Sequence, residues 1–303
     1  MAGAIEAVDL TRRFGRCEAV NALTLDVPAG SVFALIGPNG AGKTTAIKLL
    51  MNLLRPLRGT SRLLGVESRR LGVRELQRIG YVSENQELPD WMTPDQLLEY
   101  CRPCYPTWDR TLVGRLQEVL GLTARTPLRT LSRGTRMKAA LLASLGYRPE
   151  LVILDEPFTG LDPLVRDELI RALLDTWGDR TCTCLISSHD IEDVERLADW
   201  VGFLDRGKLL FAEPIASLLA RFRLVEIIGF DPQQTPRADD RRWLDKGVAG
   251  RTLRFIDTDH AAPDAEARIA AAFPSSEIRV SPMPLRDIFI ALARSTATSA
   301  GTP

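Results

Sequence analysis

Apolar residues along the chain fall into two kinds of run: short unbroken ones, and longer ones that recur with a helical period. Val32–Ile36 (VFALI), Leu151–Leu154 (LVIL) and Cys184–Ser187 (CLIS) are short buried-type runs. Strands covered on both faces read this way, so these runs predict a parallel sheet with helices around it. From Lys43, KTTAIKLLMNLL places Ile47, Leu50, Met51 and Leu54 at helical spacing. Thr93–Tyr100 (TPDQLLEY) and Trp108–Leu122 (WDRTLVGRLQEVLGL) are periodic too, each with a cap-like Thr or Asp near its start, and a further helix is expected over Thr135–Gly146. The outcome is an α/β core over residues 1–83 and 150–220, with a helical insert at 84–149.

After Arg221 the elements shorten. Leu224–Ile228, Thr252–Ile256 and Glu277–Val280 read as strands, with a helix near Ala262–Ala272. In a final helix Leu285, Ile288, Phe289 and Leu292 share one face, which docks on its own domain in the favoured reading and makes dimer or regulatory contacts in the other. Residues 221–294 are therefore expected to form a small α+β extension, and 295–303, small and polar, a disordered tail.

The chemistry begins where the first strand ends. Gly37, Pro38, Asn39, Gly40, Ala41, Gly42, Lys43, Thr44 and Thr45 spell GPNGAGKTT, which satisfies G-x-x-x-x-G-K-T between a strand and a helix. The glycines let the backbone turn tightly and aim N–H groups at a triphosphate held at the helix N-terminus. Lys43 reaches the β and γ phosphates and Thr44 coordinates Mg²⁺, so ATP and Mg²⁺ are the expected ligands. Leu151–Leu154 then delivers Asp155 and Glu156 to the C-terminal edge of the sheet, Asp155 as a metal ligand and Glu156 as the group that polarises the attacking water.

These motifs, in this order, resemble the ATP-binding cassette (ABC) ATPases, specifically the nucleotide-binding subunits of membrane transporters of bacterial exporter type. The resemblance spans about Leu10 to Phe211. It implies a P-loop NTPase fold of the ABC type, in which an N-terminal antiparallel β subdomain joins the parallel sheet and residues 1–220 form the cassette. Phe14 stands where the family stacks an aromatic on adenine, although its position alone equally suits a core aromatic. Glu84, in IGYVSE, occupies the place of a glutamine that contacts Mg²⁺ and the attacking water, and Gln86 is the alternative. Leu131, Ser132, Arg133, Gly134 and Thr135 form the signature segment, with Arg133 and Thr135 in place of the glycine and glutamine of LSGGQ. Gly160, Leu161 and Asp162 follow Thr159 in the loop that passes across a dimer, and His189 in SSHD is the switch histidine. In the family the signature completes an ATP site on a second cassette, so one copy per chain implies a homodimer or a pairing with a related cassette. The insert from Glu84 is then the surface for a transmembrane permease subunit, or else a subdomain that only packs.

Composition narrows the setting. The 303 residues carry 39 Lys plus Arg against 39 Asp plus Glu, which implies no nucleic-acid partner. No apolar run approaches the length of a membrane span, so transport requires separate permease subunits, and MAGAIEAVDL lacks the pattern of a secretory signal. Five cysteines fit a reducing cytoplasm, with the chain peripheral on the inner face of the membrane as the resemblance implies. Cys101 and Cys104 lack a second cluster of zinc spacing and read as buried or incidental thiols, Cys182 and Cys184 as strand residues, and His260 as a solvated surface residue. The functional expectation is an ATPase that drives a permease, with export favoured because YPTWD at Tyr105–Asp109 and the C-terminal extension ending RDIFIALAR resemble bacterial cassettes of exporter type. The alternative is a soluble cassette that clamps DNA or ribosomes.

Overall fold

In the computed structural model, which describes residues 3–122, 125–177, 182–230, 242–274 and 276–299, the chain divides into units Met1–Ala212 and Glu213–Pro303. The first unit is organised by two sheets. β1 (Ile5–Phe14), β2 (Cys17–Val27), β4 (Arg58–Leu63) and β5 (Val66–Glu67) pair antiparallel in the order β2-β1-β4-β5. The second sheet contains β3 (Val32–Ile36), β6 (Ile79–Val82), β7 (Leu151–Asp155), β8 (Thr183–Ser188), β9 (Trp200–Asp205) and β10 (Lys208–Pro214), ordered β10-β9-β3-β8-β7-β6. Its pairs from β9 to β6 are parallel, and every residue of β3, β7 and β8 is buried, as unbroken apolar runs require. Cys182 is buried but lies just before β8, outside the strand.

Helices follow the caps. α1 (Lys43–Leu50) puts Ala46, Ile47, Leu49 and Leu50 into a core shared with Phe33, Leu35, Ile153 and Leu185. It stops four residues short of the expected Leu54 because Asn52 takes a left-handed conformation (φ 56°), which an asparagine tolerates. α2 (Val73–Leu76) is a single turn. In α3 (Pro94–Cys101) the Thr93 hydroxyl and Gln96 amide cap each other's backbone, and in α4 (Arg110–Val119) Asp109 accepts from the N–H groups of Thr111 and Leu112. α5 (Arg133–Leu145) starts two residues earlier than expected, since Ser132 is already its cap. α6 (Pro163–Trp177) and α7 (Ile191–Leu197) follow β7 and β8, the latter capped by Asp190.

The second unit carries an antiparallel sheet ordered β12-β13-β11-β14, made of β11 (Arg223–Ile228), β12 (Trp243–Ala249), β13 (Thr252–Asp257) and β14 (Glu277–Pro282). With it go α8 (Ile215–Arg221), α9 (Ala265–Ala272) and α10 (Leu285–Ser299). Val225, Ile227, Trp243, Phe255 and Phe273 form its core. β12 has no sequence signature because only Trp243 is buried in it and its register breaks between Leu244 and Gly247. α10 buries Leu285, Ile288 and Phe289 and packs against β12 of its own unit. It continues past Ser295, where a disordered tail was expected, the Ser295 hydroxyl donating back to the Leu292 carbonyl at 2.8 Å. The rest of that tail, 300–303, lies outside the described residues. His260 needs correcting as well: its side chain is only 14% exposed, because its Nδ1 lies 3.3 Å from the fully buried carboxylate of Asp257.

Candidate nucleotide site

Three strand ends converge on one cavity of about 580 Å³. The loop after β3 contributes Asn39 to Thr45, the segment after β7 gives Glu156 and Thr159, and His189 follows β8. Cys17, Glu18, Ala19, Glu84 and Arg206 complete the lining. Gly42 caps α1 at φ 107°, and a Cβ there would collide with the Ala19 carbonyl, so only glycine fits. No side chain caps α1, so its first-turn N–H groups remain available to an anion at this wall of the cavity.

The Lys43 ammonium, 5% exposed, donates to the carbonyls of Gly37 (2.7 Å) and Pro38 (3.3 Å) and lies 3.0 Å from Glu156 Oε1. The other carboxylate oxygen of Glu156 accepts from the Thr159 hydroxyl at 2.9 Å and meets His189 Nδ1 at 2.7 Å. Burial on its own would raise the Glu156 pKa, but the Lys43 charge together with the Lys43, His189 and Thr159 hydrogen bonds outweighs it and holds the group below its usual 4.5. Glu156 is thus a buried, ionised acceptor, and its φ of 51° shows a backbone held away from strand geometry. With a carboxylate as partner, Nδ1 of a neutral His189 carries the proton, leaving Nε2 as an acceptor suited to a water hydrogen.

Asp155, 1% exposed, accepts at Oδ1 from Ser187 (2.7 Å) and Thr44 (3.1 Å). Burial raises its pKa, against the pull of those two hydroxyls, and the nearby Glu156 charge adds to the rise. Ser187 also accepts from the Glu156 N–H at 2.9 Å, so one hydroxyl fixes both acids. Behind His189, Arg166 of α6 is paired with Asp190 at 2.6 Å and lies 3.5 Å from buried Asp193.

Glu84 faces the nucleotide cavity, whereas Gln86 turns its Oε1 to the Ser83 N–H and hydroxyl (3.0 and 3.1 Å). Phe14 is 46% exposed, under the Arg12 guanidinium at 4.8 Å, and is not among the cavity residues. Leu131 to Thr135 do not line the cavity either. Ser132 Oγ accepts from the Thr135 N–H (3.2 Å) and contacts its hydroxyl (2.9 Å), while Gly134 is buried with its Cα against Val165. Asp162 caps α6 by accepting from the N–H groups of Leu164 and Val165, and Gly160 (φ 72°) and Leu161 precede it. Sequence reasoning missed Ser187, Arg206 and Cys17 to Ala19, and also Thr159 as a partner of Glu156. Only Ser187 and Thr159 had a signal, as hydroxyl residues beside the assigned His189 and Glu156.

Residues 20–159 match the ABC transporter family model. The chain is 33% identical over 203 residues to the lantibiotic transport ATP-binding protein SrtF of Streptococcus pyogenes, covering 67% of this chain and 87% of that one. This chain belongs to the ABC transporter ATP-binding family. The bacitracin transport ATP-binding protein BcrA of Enterococcus faecalis is 32% identical over 221 residues, 72% of each chain. A solved ATP-binding subunit of an ABC transporter superposes with a TM-score of 0.64 at 26% identity, over 71% of this chain and 91% of that one. The dimeric bacterial cassette MJ0796, at 20% identity and TM-score 0.62, shares the fold. The cassette is accordingly an ATPase, the nucleotide-binding subunit of an ABC transporter. Among its described residues no helix is long and apolar enough to cross a membrane. Relatives named for transport support the permease-coupled reading over a clamp on DNA or ribosomes.

Proposed function

We propose that two copies of this cassette, or one copy and a related cassette, close head to tail around two Mg-ATP at the inner face of the membrane and drive export through partner permeases. The relatives named for lantibiotic and bacitracin transport support the direction. The observation that carries the catalytic assignment is the position of the Glu156 carboxylate, ionised and held by Lys43, Thr159 and His189 at the wall of the cavity that the phosphate loop lines.

The loop N–H groups and Lys43 bind the β and γ phosphates, whose oxygens compete with Glu156 for the ammonium. Glu156, so released from the ammonium, orients a water in line with the γ-phosphorus and receives its proton, while His189 Nδ1 keeps hold of the other carboxylate oxygen. The hydroxyl of Thr44 and the carboxylate of Asp155, 3.1 Å apart, are hard oxygen donors and fit Mg²⁺, which takes one or two protein ligands beside phosphate and water. Glu84 borders the same cavity and fits a water-mediated contact. The bound ion supplies charge neutralisation of the phosphates. Phe14, exposed and paired across the β1–β2 hairpin with the cavity residue Cys17, offers its ring to adenine. Ser132 accepts from the Thr135 N–H of its own helix and shares a second hydrogen bond with the Thr135 hydroxyl, which a phosphate on the second chain can replace beside the N-terminus of α5. Gly160, Leu161 and Asp162 pass close to that interface.

Glu156→Gln tests the assignment. The variant is expected to bind ATP, to trap a dimer and to release almost no phosphate; turnover within about threefold of the parent chain would remove Glu156 from its role.

A further inference from the structure

The signature carries an arginine where the resemblance places a glycine, and the segment after β6 carries a glutamate where it places a glutamine. These two departures meet in space although they lie 49 residues apart. Arg133 Nη2 is 3.8 Å from Glu84 Oε1 and donates to the Glu84 backbone carbonyl at 3.5 Å. On its other side the same guanidinium rests on Gly160, where an added Cβ would stand 3.2 Å from Nη1. One side chain thus ties together the Glu84 segment, the start of α5 and the loop before α6.

Two physical facts say that the arginine is there for the glutamate. It occupies the first turn of α5, where the helix dipole disfavours a cation, so its charge does not serve the helix. Glu84 also borders a cavity built for a polyphosphate, in which Glu156 is ionised already, so a further uncompensated carboxylate repels the ligand.

We propose that Arg133 is a positioning residue that acts through Glu84: it neutralises the carboxylate, fixes its direction beside the nucleotide cavity, and couples the helical insert to the Gly160 loop within one chain. The proposal rests on the ATPase reading of that cavity. An arginine engaged in this way leaves Ser132 and the Gly134 backbone to meet the second chain's phosphates.

The test compares Arg133→Gln, Glu84→Gln and the double variant in the full chain. The readouts are affinity for a fluorescent ATP analogue, KM and kcat for ATP, and the thermal midpoint. Glutamine keeps the helix and removes the dipole conflict, so Arg133→Gln is expected to melt no lower than the parent. It should nevertheless weaken nucleotide binding and raise KM by about three- to tenfold, the size of a partly exposed charge effect. Adding Glu84→Gln should return both to within about twofold of the Glu84→Gln single variant. An Arg133→Gln defect of the same size in both backgrounds would overturn the proposal by showing that the arginine acts on nucleotide directly, and unchanged binding in Arg133→Gln would overturn it as well. Failure of the parent chain to bind or hydrolyse ATP would sink the ATPase reading instead.

Discussion

Ser187→Ala is a single-atom perturbation with effects on both acids of the site. Ser187 is fully buried, donates to Asp155 Oδ1 at 2.7 Å and accepts from the Glu156 N–H at 2.9 Å. A hydrogen bond to a charged acceptor contributes about 1.5–3 kcal/mol, and a buried N–H left without an acceptor costs about 1–3 kcal/mol. Asp155 keeps the Thr44 hydroxyl at 3.1 Å, which offsets part of the first loss. The expected destabilisation is therefore about 2–4 kcal/mol. Loss of the donor also pushes the Asp155 carboxyl further up, against the ionised form that a cation needs. The assay is chemical denaturation beside Ser188→Ala, whose hydroxyl makes only local bonds to the Asp190 backbone and which is expected to cost about 1 kcal/mol. A Ser187→Ala variant no less stable than Ser188→Ala would refute the reasoning.

Lys43→Met removes the main source of the depressed Glu156 pKa. Since that pKa lies below 4.5 in the folded chain, its contribution to stability is present above the unfolded value and fades as pH falls through the folded one. The parent chain should accordingly lose stability below about pH 4.5 more steeply than Lys43→Met, while the variant loses ATP binding at every pH; parallel acid melting curves would contradict this. Asp193 behaves in the opposite sense, since burial pushes its carboxyl up to about 6. The folded state holds an extra proton there, so stability declines as pH rises from the unfolded value of 3.8 towards 6. Asp193→Asn should be about 1–3 kcal/mol more stable than the parent at pH 7.5 and equal to it near pH 3.5, and a pH-independent difference in thermal melts would rule this out.

How much was legible follows the range of the interactions. β3, β7 and β8 stood out because a strand buried on both faces needs an unbroken apolar run, and α3 and α4 because Thr93 and Asp109 cap within three residues. The phosphate loop was equally local, its glycine constraint residing in the backbone turn at Gly42. What escaped depends on long-range pairing. Ser187 resembles any strand serine until β8 is laid beside β7, and His260 reads as a surface residue until Asp257 is seen buried beneath it. β12 was hidden because a single buried residue, Trp243, leaves no alternation to read. Glu84 and Arg133 were visible as separate oddities, but their pairing required the fold.

The central claim is that this chain holds half of each ATP site and needs a second chain for the other half. Nucleotide occupancy and dimer mass in the Glu156→Gln background test it most directly. With the signature intact the account predicts an ATP-dependent dimer that retains two ATP per pair of chains. Adding Ser132→Arg should abolish the dimer, while the separate chain still binds ATP within about threefold of the parent affinity. A dimer that survives Ser132→Arg, or single-chain ATP affinity that collapses with it, would contradict the account.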